Sequence, residues 1–210
     1  MVTLTPSTMT EWKSGFDIKY LQQPDRVDVY FFSDLVDGGQ YRAVCKSDGW
    51  KHRDQIDDAI LEIEAAHYVL SAVTEYYPNA HVHHNVQLQD TCGKMLKEYD
   101  AIVHGHELSP TVGFLVETKY IPHPKDIGKL FDRATELETW LHAKKVYRAS
   151  EGTLISTRKP LDLSHLFNIQ RVVPVLAGKL FHQVNVDECV SRGVLPLYPS
   201  GARYAVKGLS

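Results

Sequence analysis

The sequence predicts an α/β protein with helices on both faces of a small mixed sheet. Three observations predict it: a long stretch of helical periodicity, three β-rich segments in succession, and a second helix followed by a buried strand.

The first helix runs from Asp54 to Tyr77. Ile56, Ala59, Ile60, Ile63, Ala66, Leu70, Val73 and Tyr77 recur at helical spacing, Asp54, Asp57 and Asp58 crowd the first turn where the helix dipole favours anions, and Pro78 stops it. Ala80–Gln89 (AHVHHNVQLQ) then reads as a strand and Asp90-Thr91-Cys92-Gly93 as a turn. Leu96–His104 and Val112–Tyr120 form a hairpin about the turn signal Leu108-Ser109-Pro110. After Pro122 and Pro124 a second helix spans about Asp126 to Ala143, with Ile127, Leu130, Phe131, Ala134, Leu137, Trp140 and Leu141 as its buried stripe. A polar stretch follows, and Ile169–Ala177 (IQRVVPVLA) reads as a buried strand with an end or a bulge at Pro174. A short helix near Val186–Ser191 and an ill-defined tail complete the chain.

Upstream, Arg26–Leu35 and Gln40–Lys46 are rich in β-branched and aromatic residues and flank Val36-Asp37-Gly38-Gly39, a hairpin signal. The expected organisation is an N-terminal β-hairpin extension over 1–53, a core over 54–178, and a C-terminal helix and tail over 179–210.

At 210 residues and 43% hydrophobic content the chain can bury a sizeable core. No apolar run approaches the ~18 residues that span a bilayer, and the N-terminus lacks the basic-then-apolar order of a secretory signal, so a cytoplasmic protein without membrane contact is expected. Cys45, Cys92 and Cys189 are far apart and lack the spacing of a zinc site; they read as unpaired thiols. Residues 1–110 carry 9 Lys and Arg against 17 Asp and Glu, net −8, whereas residues 111–210 carry 14 against 9, net +5. Such asymmetry suits a protein that sets phosphate-contacting cations beside metal-binding carboxylates.

The densest chemistry lies in Glu98–Tyr120, EYDAIVHGHELSPTVGFLVETKY. If its two strands pair about position 108.5, Asp100 sits beside Glu117, and Lys119 lies two residues further along the same face. Asp100 is followed by Ala101, Ile102 and Val103, and Glu117 is preceded by Phe114, Leu115 and Val116, so both acids emerge from buried strands at one end of the hairpin. Clustered carboxylates repel one another unless a cation lies between them, and hard oxygen ligands suit Mg²⁺, with Mn²⁺ able to substitute.

The run Tyr99-Asp100-Ala101-Ile102-Val103, a gap, then Val116-Glu117-Thr118-Lys119 resembles the PD-(D/E)XK nuclease superfamily, the restriction-endonuclease-like fold. Its α-β-β-β-α-β core order matches the elements read from Asp54 to Ala177, about 120 of the 210 residues. The resemblance implies a metal-dependent nuclease in which Asp100 and Glu117 bind the ion, the Thr118 carbonyl is a further ligand, and Lys119 orients or activates the attacking water. It also implies an acid on the first helix, for which Glu64 is preferred over Glu62. Tyr99 stands where the motif often has proline. The implied partner is nucleic acid, DNA rather than RNA; the alternative is an inactive nucleic-acid-binding or assembly protein on the same fold. The hairpin extension and the tail are read as carrying specificity or homodimer contacts.

Lys125, Lys129 and Arg133 fall at i, i+4 and i+8 of the second helix and are expected to form a phosphate-contacting stripe. His81, His83, His84, His104 and His106 cluster on the strands, but no spacing among them resembles a known metal pattern, so no site is expected there. His67, one turn after Glu64, is left out of the catalytic set, and Trp50 and Trp140 are read as core.

Overall fold

Strands alternate with helices in the computed structural model, which describes residues 19–22, 27–33, 40–46, 61–62, 65–70, 72–74, 79–105, 111–152, 158–200 and 203–206. The expected N-terminal hairpin is present as β2 (Val27–Ser33) and β3 (Gln40–Lys46), in register from Val27↔Lys46 to Ser33↔Gln40. An unanticipated strand, β1 (Lys19–Gln22), pairs antiparallel with β2 and makes a three-stranded sheet.

The second sheet holds the candidate site. Its strands are β4 (Ala80–Gln89), β5 (Met95–Gly105), β6 (Thr111–Lys119), β7 (Arg148–Gly152), β8 (Arg158–Leu161), β9 (Ile169–Gly178), β10 (Leu195–Ser200) and β11 (Arg203–Val206), in the spatial order β11-β10-β9-β6-β5-β4-β7-β8. β4, β5 and β6 pair antiparallel in sequence, β9 joins β6 in parallel, and β10 joins β9 in parallel. The parallel join needs a crossover, and α1 (Pro124–His142) supplies it between β6 and β9. Pro124 opens that helix, where its missing N–H costs nothing, and the Asp126 carboxylate accepts from the His123 N–H at 3.0 Å. Two shorter helices, α2 (Leu163–Phe167) and α3 (Gln183–Ser191), follow.

Each face of the sheet has its own core. Leu61, Ala65, Ala66, Val69 and Val73 of the helical residues 61–62, 65–70 and 72–74 pack with Ala101, Val103, Val116 and Val175. On the other face Ile127, Leu130, Ala134, Leu137 and Leu141 of α1 pack with Val86, Leu88, Tyr99, Ile102, Leu115 and Leu176. Val82 and Val103 therefore serve the first core, yet Val86 and Tyr99, on the same strand parity, serve the second. The change of side falls between the pairs His84↔Ala101 and Val86↔Tyr99, at Asn85, whose φ is 45°, and at Asp100 opposite it. Asparagine is the non-glycine residue that most readily enters this left-handed region.

The sheet is larger than expected, with eight strands. β7 and β8 lie in the stretch read as polar: their sequences, RASEG and RKPL, lack apolar alternation, and β8 forms the edge of the sheet. β10 and β11 replace the ill-defined tail. Pro174 causes neither a strand end nor a bulge; β9 runs through it, and β10 pairing begins only at Val175, so no ladder bond is lost on that side. The free edge of β9 is covered instead by Glu138 of α1, whose carboxylate accepts from the Val172 N–H at 2.8 Å. Of the stripe expected for the first helix, Ala66 and Val73 are buried and Leu70 packs against the same core, which Leu61, Ala65 and Val69 join; Ile63 lies outside the described residues. The turn at 106–110 and the helix start near Asp54 lie outside the described residues.

Gly178 ends β9 beside Lys119 of β6. A Cβ there would lie 2.5 Å from Pro122 Cγ and 2.8 Å from Phe181 Cδ2, so the lack of a side chain lets the loop after β6 close against the sheet. Gly178→Ala is expected to cost ~1–3 kcal/mol through this overpacking. Urea unfolding should show a lower midpoint at unchanged m-value; an unchanged midpoint would contradict the packing described.

Candidate active site

The β5–β6 ladder sets the site. Its register pairs Ala101 with Val116 and Ile102 with Leu115, so one further step sets Asp100 opposite Glu117, as the turn-centred reading requires. At that step the ladder gives way to a side chain: Thr118 donates its backbone N–H to Asp100 Oδ2 at 2.9 Å and its hydroxyl to the same oxygen at 3.3 Å. Asp100, at the pivot where its strand changes side, is thereby fixed to the strand that carries Glu117.

Glu117 follows Leu115 on the face covered by α1 and is only 5% exposed. Burial, and next the charge of Asp100, push its carboxyl up from 4.5 to about 7, against the opposing pull of Arg133, Lys119 and Lys97. Arg133 Nη1 lies 2.8 Å from both carboxylate oxygens, but its donor geometry serves only Oε2, and the buried Oε1 accepts no hydrogen bond. The same guanidinium donates through Nη2 to the Glu98 carbonyl and lies over the Tyr99 ring, 5.1 Å from its centroid. Tyr99, at the motif's usual proline position, is thus a buried platform for that arginine.

Above Glu117 lies an open cleft of about 630 Å³, whose lining includes Lys97, Glu117, Lys119, Lys129, Arg133 and Glu136. Lys119 is exposed at its rim, and Lys97 pairs with Glu136 at 3.2 Å across it. Of the expected basic stripe, Lys129 lines the cleft, Arg133 turns inward to Glu117, and Lys125 is exposed outside the cleft lining. Eight residues at 100° each leave Arg133 about 80° around the helix from Lys125, which is enough to carry it from the solvent face to the sheet.

Glu64 lies outside the described residues. Its rival Glu62 is half-buried and precedes Ala66, Val69 and Val73 by 4, 7 and 11 residues, which aligns it with the sheet-facing stripe. Lys97 and the inward role of Arg133 were not read from the sequence. Lys97 precedes the motif by three residues without a spacing signal, and the Arg133 signal was the 80° drift.

The donors fit a hard divalent cation in kind: two adjacent carboxylates, one carrying a buried oxygen without a hydrogen bond, and the Thr118 carbonyl on the same strand. Among the described residues no group of three or more His, Cys, Asp or Glu side chains is already arranged around a metal position. No family model, curated protein or solved structure matches the chain.

Proposed function

We propose that the chain is a metal-dependent nuclease of the restriction-endonuclease-like class, cutting phosphodiester bonds of nucleic acid, DNA rather than RNA. The observation that carries this reading is Glu117: a buried carboxyl beside Asp100, with one oxygen that accepts no hydrogen bond, at the foot of a cleft edged by Lys119. The order of helical segment, three antiparallel strands, crossover helix and parallel strand supports the same reading. In this reading the chain divides into an extension over 1–53, a nuclease core over 54–178 and a C-terminal part over 179–210, whose strands β10 and β11 extend the core's sheet.

In this reading Asp100, Glu117 and the Thr118 carbonyl would hold Mg²⁺ or Mn²⁺, with Glu64 or Glu62 as a further acid. The ion, when bound, neutralises the scissile phosphate and acidifies a water molecule. Thr118 fixes the Asp100 carboxylate through two hydrogen bonds, so the acid does not have to be ordered when substrate arrives. Lys119 positions the attacking water and stabilises charge developing on the phosphoryl oxygens. Lys129 and Lys125 contact flanking phosphates. Arg133 balances Glu117 while the acid is uncompensated. No described helix is long and apolar enough to cross a membrane, and a cytoplasmic location belongs to the same reading.

One observation favours the alternative of a nucleic-acid-binding or assembly protein that does not cut: Arg133 already neutralises Glu117, as a cation would. Cleavage and Mn²⁺ binding discriminate the two. The purified chain is expected to cleave at least one member of a panel of plasmid, linear duplex, single-stranded DNA and RNA with Mg²⁺ or Mn²⁺, and EDTA should stop it. Calorimetry should detect Mn²⁺ binding that Asp100→Ala abolishes. Absence of both would leave the binding reading standing.

A further inference from the structure

A second constellation lies at the other end of the same hairpin. His81 and His83 occupy one face of β4, and His104 of β5 lies directly across from His81. His83 is 8% exposed and His104 is fully buried, yet their Nε2 atoms lie 3.0 Å apart and their rings meet edge to edge, 26° from coplanar, with centroids 5.1 Å apart. The other nitrogen of His83, Nδ1, lies 2.7 Å from Glu151 Oε2 of β7. A carboxylate at that distance accepts a hydrogen bond from Nδ1–H, the tautomer that such a partner selects. His83 Nε2 is then a lone pair aimed at a second imidazole.

Such an arrangement is one proton short of chelation. Two imidazoles bound at about 2.0–2.1 Å to a tetrahedral ion would have Nε2 atoms ~3.3 Å apart and ring centroids ~5 Å apart, close to what His83 and His104 already have. A carboxylate behind one ligating histidine is the usual means of fixing its tautomer and raising its basicity. His165 of α2 lies beside both, its centroid 6.3 Å from His104 and 6.5 Å from His83; as placed the three do not converge on one point, and a side-chain adjustment of His165 is needed to close the set. His81, exposed and 6.2 Å from His104, stands at the open side, where it or a water molecule can take the fourth position.

We propose that His83 and His104, joined by His165, form a site for a zinc-class transition-metal ion, with Glu151 as the carboxylate that orients His83. The ligand type separates it from the acid site: neutral imidazoles select Zn²⁺ or Co²⁺ over Mg²⁺. On loading, the His104 proton moves from Nε2 to Nδ1, both Nε2 lone pairs go to the ion, and no net proton is released. The ligands come from β4, β5 and α2, with Glu151 on β7, so the ion would tie four elements together. Because they come from separate elements, no linear spacing announces them.

The test is a titration of the untagged, EDTA-treated full chain with Co²⁺ and Zn²⁺ at neutral pH. One equivalent of Co²⁺ should bind with the visible absorption of a tetrahedral site, Zn²⁺ should displace it, and Zn²⁺ should raise Tm. His104→Ala and His165→Ala should weaken binding at least 100-fold, and Glu151→Gln about 10- to 100-fold. His142→Ala should bind as the wild type does, and a large excess of Mg²⁺, which fills an oxygen-ligand site, should leave the tetrahedral Co²⁺ spectrum unchanged, separating this site from the nuclease reading. Absence of a Co²⁺ spectrum in the wild-type chain overturns the proposal even if His104→Ala fails to fold. So does undiminished binding by folded His165→Ala and Glu151→Gln.

Discussion

Replacing Lys119 with alanine is expected to lower kcat for cleavage by about 10²–10³-fold, the cost of removing one preorganised charge from a developing phosphoryl anion. KM should change little, because such a contact is made mainly in the transition state. Lys119 is exposed at the cleft rim, so circular dichroism and Tm should match the wild type and a folding defect cannot stand in for the effect. Initial rates on the best substrate with Mg²⁺ provide the measurement. A Lys119→Ala rate within threefold of wild type would remove the lysine from the mechanism.

The second large effect concerns Glu117 and pH. Its folded pKa of about 7 exceeds the unfolded value of 4.5, so between these values the folded chain holds a proton that the unfolded chain has released. Stability therefore falls as pH rises from about 4.5 to about 7 and loses nothing further from this group above that. Two to three units correspond to roughly 3 kcal/mol, and the 6% side-chain exposure leaves little solvent screening to reduce it. Glu117→Gln should accordingly gain stability over wild type at pH 8 and show no such gain at pH 4, read from urea unfolding at both pH values. It should also lose Mn²⁺ binding, because the carboxylate that the ion needs is gone. Equal stability of the two proteins across that range would mean that Glu117 ionises freely in the folded state.

Much of the site was legible because strand pairing is arithmetic. A turn centred between positions 108 and 109 couples residues whose numbers sum to 217, and the observed pairs Ala101↔Val116 through His104↔Gly113 obey that sum. α1 was legible because its stripe meets one face of a sheet at constant pitch. β7 and β8 were not, since strands of five and four residues that bury only Ala149, Gly152 and Leu161 show no alternation, and the pairing of β7 depends on β4, more than fifty residues away in sequence. The inward turn of Arg133 and the meeting of His83 with His104 are contacts between elements. They depend on helix rotation and strand packing, which no local spacing encodes.

The change of side at Asn85 and Asp100 has a consequence best seen by counting. Above the pivot the α1 face of β4 takes odd positions, His81 and His83; below it the same face takes even positions, Val86 and Leu88. On β5 it takes Ile102 above and Tyr99 below. With Asn85 and Asp100 removed, each strand would alternate without interruption and both cores would keep every member they have. The two residues are, in effect, one insertion in each strand, facing one another. The acid at the centre of the candidate site thus occupies a position that the sheet does not need for its own pairing, and its side chain is free to accept two hydrogen bonds from the neighbouring strand's Thr118.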